Sequence, residues 1–120
     1  MKPRIYTVTP NPALDLSGDV DGLVPNEKNY VSAERRDPGG NGINSARIIT
    51  RLGAQVTALG WLGGATGDEI ASLLKGEKVR CEFTPIQGHT RVNVTVSNLK
   101  THQQTRLTFP GPKISLPEQK

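Results

Sequence analysis

The stretch Asp37-Pro38-Gly39-Gly40-Asn41-Gly42-Ile43-Asn44-Ser45-Ala46-Arg47-Ile48-Ile49 decides how this chain is read. Three glycines within four positions run straight into Ile43, Ala46, Ile49 and Leu52, which recur at helical spacing. Glycine is costly inside a helix and useful where backbone takes positive φ or lies close to another group. A Walker loop is excluded, because no Lys-Ser or Lys-Thr follows the glycines. A dinucleotide fingerprint is begun by Gly40-Asn41-Gly42, but Ser45 stands where its last glycine belongs, and Asp37-Pro38 reads as a poor strand end. Two readings stand: backbone N–H groups facing an anion or hydroxyl at a helix N-terminus, or a tight turn with no ligand.

Elements on either side extend the pattern. Ile5 to Thr9 is a β-rich run closed by Pro10-Asn11-Pro12, and Leu14–Val20 and Tyr30–Arg35 read as half-exposed strands around a Gly/Pro/Asn-rich connection. Gly53 closes the first helix. Gln55 to Trp61 is an apolar run suited to a buried strand. Thr66 and Glu69 have capping-box spacing ahead of Ile70, Leu73 and Leu74, which predicts a second helix ending near Gly76 with Asp68 in its first turn. Alternating strands and helices predict an α/β fold: a parallel sheet with crossover helices. From Thr90 to Ser97, Val92, Val94 and Val96 alternate with polar residues, and Arg106 to Phe109 follows a polar connection, which predicts an antiparallel hairpin. Ser115-Leu116-Pro117-Glu118 reads as the start of a helix two residues before the sequence stops, so the chain is expected to be a fragment.

Composition narrows the function classes. The 120 residues carry 15 Lys and Arg against 11 Asp and Glu, a net charge of +4 without clustering. Glu34-Arg35-Arg36-Asp37, the densest run, has its arginines flanked by acids, which argues for a solvated strand or loop edge and against nucleic acid. Cys81 is alone, so no disulfide framework exists; it reads as a small packed thiol, and a reducing cytoplasm is the expected location. No signal peptide or membrane span is evident, and the Asn93-Val94-Thr95 sequon reads as ordinary strand. His89 and His102 have no ligand-spaced partners, so no metal is assigned.

Five motifs together resemble the PfkB-type carbohydrate kinases of the ribokinase family. They are Tyr6-Thr7-Val8-Thr9-Pro10-Asn11-Pro12-Ala13-Leu14-Asp15, Pro38-Gly39-Gly40-Asn41-Gly42-Ile43-Asn44, Leu62-Gly63-Gly64-Ala65-Thr66-Gly67-Asp68-Glu69, Thr90-Arg91-Val92-Asn93 and Phe109-Pro110-Gly111-Pro112. They stand in the family's order and resemble its branch acting on phosphorylated hexoses, the phosphofructokinases and tagatose-6-phosphate kinases. The resemblance covers essentially the whole chain and implies one partial kinase domain over 1–120, the N-terminal portion of a ribokinase-like fold.

That resemblance also implies roles. Asp15 would accept hydrogen bonds from sugar hydroxyls, Gly39 and Gly40 would let backbone approach the sugar, and Asn44 would offer its amide to a hydroxyl. Arg91 would bind the substrate's phosphate by a forked contact, and Lys28 would add a second positive charge. Segments 13–36 and 90–109 would form a small antiparallel β lid, which in the family often makes a homodimer contact. Asn41, where close relatives often carry Lys or Gly, and Ser45, where Val is common, depart from the pattern beside the sugar.

The expected substrates are fructose 6-phosphate, fructose 1-phosphate or tagatose 6-phosphate, with ATP and Mg²⁺ serving the full-length enzyme. The family's catalytic base and anion hole lie in a downstream Gly-Ala-Gly-Asp motif that these 120 residues do not contain. No catalytic residue is therefore assigned to this chain, and the fragment alone is expected to be inactive. The competing readings are a non-catalytic module that binds hexose phosphates or dimerises, and a non-functional relic.

Overall fold

The computed structural model describes residues 4–115 and 117–119. In chain order it contains β1 (Ile5–Thr9), β2 (Ala13–Val20), β3 (Ser32–Gly39), α1 (Asn41–Arg51), β4 (Val56–Gly63), α2 (Gly64–Gly76), β5 (Arg80–Ile86), β6 (Arg91–Asn98), β7 (Gln103–Leu107) and a 3-10 turn, Pro117–Gln119. The strands form two sheets. One is parallel, in the order β1-β4-β5, with Ile5 opposite Val56 and Thr57 opposite Arg80. The other has four strands in the order β3-β2-β6-β7. This is the expected α/β architecture with a second small sheet.

Both helices pack where their apolar stripes require. α1 lies against β1 and β4, while α2 touches β4 and β5 on one side and β2 and β3 on the other. One core results, from Leu14 of β2, Ile43 and Ala46 of α1, Val56, Ala58 and Leu62 of β4, Ile70 and Leu74 of α2, and Val79. Leu14, Ile43, Ile70 and Leu74 are sealed from solvent, each worth about 1.5–3 kcal/mol of burial. Cys81 packs against this core, and burial pushes its thiol pKa up, as a packed rather than a nucleophilic thiol requires. Leu52, at helical spacing with the buried face of α1, instead caps the helix and is exposed.

The helix ends are instructive. After α1, the Gly53 N–H donates to Thr50 and the Ala54 N–H to Ile49, a Schellman closure with Gly53 at φ 88°. After α2 the same closure is made by Lys78, at φ 63°, donating to Lys75, and by Val79 donating to Leu74. The capping box expected at Thr66 and Glu69 is not formed. The helix begins three residues earlier than that box implies, at Gly64, with Gly63 as N-cap and no side-chain cap, so Asp68 lies beyond the first turn. Glu69 is engaged elsewhere: Arg36 of β3 donates to it from Nε at 2.6 Å and from Nη2 at 3.0 Å, pinning the second sheet to α2.

The second sheet contains two antiparallel pairs, β2–β3 and β6–β7, joined by a parallel seam between β2 and β6. The strand expected over Tyr30–Arg35 instead spans Ser32–Gly39 and runs through Asp37-Pro38, a poor strand end by sequence. Proline is admissible there because β3 is an edge strand and needs no N–H on its outer side. β6 is half-buried along its whole length rather than alternating, and only Val92 packs on the core. Its hairpin partner begins at Gln103, earlier than the expected Arg106. Near the end of the chain, the Ser115 N–H and hydroxyl both donate to the Glu118 carboxylate at 2.9 Å, while Leu116 lies outside the described residues.

Candidate functional site

β1 leaves the parallel sheet at Thr9, and β3 hands over to α1 through Gly39 and Gly40. These two exits and the start of β6 meet in a cleft of about 360 Å³ lined by Val8, Thr9, Pro10, Asn11, Gly40, Asn41, Gly42 and Arg91. It sits beyond the carboxyl end of β1, the side where open α/β sheets place their ligands. A depression of similar size, about 350 Å³, lies at the opposite, amino ends of the strands among Arg4, Tyr6, Gln55 and Arg80. The carboxyl-end cleft is the stronger candidate on that ground and because buried polar groups converge on it.

The glycine turn is built for close approach. Gly40 holds φ 126°, a conformation side chains rarely adopt, and a Cβ there would sit 2.4 Å from Thr9 Cγ2. At Gly39 a Cβ would fall 2.2 Å from Asp15 Oδ2, so Asp15 lodges directly over that glycine. Asp15 stands across the second sheet from Asp37 on β3 and from Asn93 on β6. Burial raises its carboxyl above the ordinary carboxylate value; a hydrogen bond from Asn93 and the charge of Arg91 oppose that, the Asp37 charge adds to it, and the Arg47 charge opposes it.

Arg91 is half-buried at the first position of β6. Its Nη1 donates to the Phe109 carbonyl and its Nη2 to the Asn11 carbonyl, both at 3.0 Å. These contacts hold the guanidinium rigidly and leave its charge unpaired: among the described residues it forms no salt bridge. Its buried Nε has no hydrogen-bond partner, and neither has the hydroxyl of Thr9, which is 3% exposed. Buried polar atoms are rarely left unpaired, so a cleft flanked by two of them suits a polar ligand.

Of the residues singled out in the sequence, Gly40 and Arg91 line the cleft, and Gly39 and Asp15 stand directly behind it. Asn44 is exposed on α1, its N–H spent on the Gly40 carbonyl, and is not among the lining residues. Lys28 is exposed in the connection between β2 and β3, away from that lining. The sequence reading missed Thr9 and Asn11 as cleft walls, and Asn93 and Asp37 as neighbours of Asp15. Only the strand register, with all three acting side chains opposite one another, reveals the last two. Among the described residues no group of three or more His, Cys, Asp or Glu could hold a metal ion, so no chemistry through Mg²⁺ is assigned to them.

The fold is that of the ribokinase-like kinases. The crystal structure of phosphofructokinase-2 from Escherichia coli in complex with fructose-6-phosphate superposes with a TM-score of 0.90 at 37% identity, over 96% of this chain and 38% of that one. Residues 11–120 match the pfkB family carbohydrate kinases, and the chain belongs to that family. It is 46% identical over 118 residues to the ATP-dependent 6-phosphofructokinase isozyme 2 of Mycobacterium tuberculosis, covering 98% of this chain and 35% of that protein. It is 39% identical over 111 residues to the 1-phosphofructokinase of Bacillus subtilis, covering 92% and 36%. The chain thus spans little more than a third of the length of these relatives.

Proposed function

We propose that this chain is the sugar-phosphate-binding part of an ATP-dependent kinase that phosphorylates a hexose monophosphate. The observation that carries the reading is Arg91, a rigidly held, unpaired cation facing the glycine turn across one cleft. An anionic phosphate there would neutralise it, while Asp15, set beside the turn by Gly39, would accept from the sugar hydroxyls. Asn44 and Lys28 belong to the same site in this reading, brought in when the second sheet closes as a lid over the sugar. Pairing of two copies through that sheet is part of the reading, and the tetrameric inhibited form of E. coli phosphofructokinase-2 is consistent with assembly in the family.

ATP, Mg²⁺ and the catalytic base are assigned to sequence beyond these 120 residues, and the location is the cytoplasm. Among the described residues no helix is long and apolar enough to cross a membrane. The test is calorimetric titration of the chain, without nucleotide, with fructose 6-phosphate, fructose 1-phosphate and tagatose 6-phosphate, the substrates suggested by its relatives' names. Saturable binding of one of them, weakened at least about tenfold in Arg91→Ala, supports the reading. No saturable binding of any of the three would sink it.

A further inference from the structure

The cleft has a second tier that the sugar reading does not use. Arg47, on α1, is 17% exposed and reaches three groups at once. Its Nε donates to Glu77 at the end of α2 at 2.9 Å, its Nη1 donates to the Pro38 carbonyl at 3.3 Å, and its Nη2 stands 4.0 Å from Asp37 Oδ1, whose Oδ2 also lies 3.7 Å from the exposed Arg35. Pro38 is buried and immediately precedes the two glycines of the turn. Asp37 is the residue directly opposite Asp15 in the β2–β3 register, so two carboxylates share one rung of the sheet. Like charges directly opposite one another repel, and a cation shared behind them relieves that repulsion.

We propose that the Asp37–Arg47 pair is the positioning device of this site, fixing the Pro38–Gly39 turn and setting the charge carried by Asp15. Arg47 does both because one guanidinium serves the turn's carbonyl and the carboxylate beside Asp15, with Glu77 holding its other edge. Glu77 is shared with Arg51 at 3.3 Å, which fixes the far end of the relay. The groups facing Asp15 are then Asp37 from β3, Arg91 and Asn93 from β6, and Arg47 from α1. Of these, Asp37 alone favours the protonated form. The proposal rests on the proposed sugar site for its purpose, but not for its test.

The experiment follows the carbon resonance of the Asp15 carboxyl against pH in the 120-residue chain with no ligand present. Asp37→Asn should lower the Asp15 midpoint, Arg47→Met should raise it, and Arg47→Lys should keep it near the parent value. Glu77→Gln, which removes the structural ion pair but leaves the Arg47 charge, should lower the melting temperature and leave the midpoint in place. If Arg47→Met does not fold, Asp37→Asn and Arg47→Lys still decide. An unmoved midpoint in Asp37→Asn, or in a folded Arg47→Met, overturns the proposal, because a purely structural Arg47 would change only the melt. Fructose 6-phosphate is then titrated at a pH near the parent midpoint, where Arg47→Met should bind several-fold more weakly. Shifted midpoints with no sugar binding by the parent chain would instead leave the pair standing and remove the sugar reading.

Discussion

Asp15 is the residue on which the site's pH behaviour turns. Its folded-state pKa is raised, chiefly by burial, so its contribution to folding favours acid: stability from this group is greatest below its unfolded value and falls as pH rises through the folded one. Sugar binding runs the opposite way, because only the ionised carboxylate accepts from hydroxyls with both oxygens. Fructose 6-phosphate affinity should therefore weaken on acidification at a pH above the ordinary Asp value of about 3.9, and Asp15→Asn should abolish that limb of the curve. Gly39→Ala is a steric test of the same residue. Its Cβ would fall on Oδ2 of Asp15, so the carboxylate must move, and we expect a loss of about 1–3 kcal/mol in stability by denaturant titration together with loss of binding. A variant that binds as the parent does would show that Asp15 does not need its present seat.

At the scale of elements, the two helix ends offer a matched pair of tests. Gly53 and Lys78 occupy equivalent left-handed positions, one with glycine and one without. No atom lies within 4 Å of a Cβ built at Gly53, so Gly53→Ala should cost about 1 kcal/mol through backbone strain alone. Lys78→Gly should gain a similar amount, and thermal melts of the two variants should move in opposite directions. Glu77 and Glu69 are held below the usual Glu range, first of all by hydrogen bonds from Arg47 and Arg36 respectively. Their stabilisation is present above the ordinary Glu value and is lost as pH falls through the folded one. Elements with strong local signals were legible in the sequence: β1, β4, α1, the body of α2 and the first glycine closure lie where periodicity and turn residues put them. What escaped was decided by non-local contacts. α2 starts ahead of the expected box and its Glu69 is taken up by Arg36 from another element, and β3 runs on through Pro38 because that strand is an edge. Half of the candidate site was legible as a glycine turn and a family motif; the Asp37–Asp15–Asn93 rung was not, since only pairing across strands creates it.

The whole molecule is open. Its radius of gyration is 16.3 Å, against about 13–14 Å for a compact chain of this length. Its accessible surface is 8401 Å², where a compact protein of 12.9 kDa would show roughly 6,300 Å². The surplus, about 2,000 Å², is the size of a substantial protein interface. Apolar side chains occupy part of it: Tyr6 and Val8 on β1 and Ile48 and Leu52 on α1 are each more than half exposed. A parallel sheet is ordinarily covered on both faces and β1 stands at the edge of this one, so the isolated chain should bind hydrophobic dyes and self-associate with concentration. Leu52→Lys combined with Val8→Lys should reduce both effects in sedimentation and dye titration; unchanged behaviour would point to another surface. The parallel seam of the second sheet has a different consequence, one of timing. Ala13 is partnered with Arg91 and Val20 with Asn98, with two helices and three strands intervening. During synthesis the β2–β3 hairpin emerges before β6 and must wait with a bare edge until β6 has left the ribosome. Closing so long a loop is a slow step, and the Arg91 side of the cleft takes shape only when it is complete. The β2–β3 pair is thus consolidated only after β6 has docked, and any ligand that bridges the glycine turn and Arg91 would act as a clasp on that pairing.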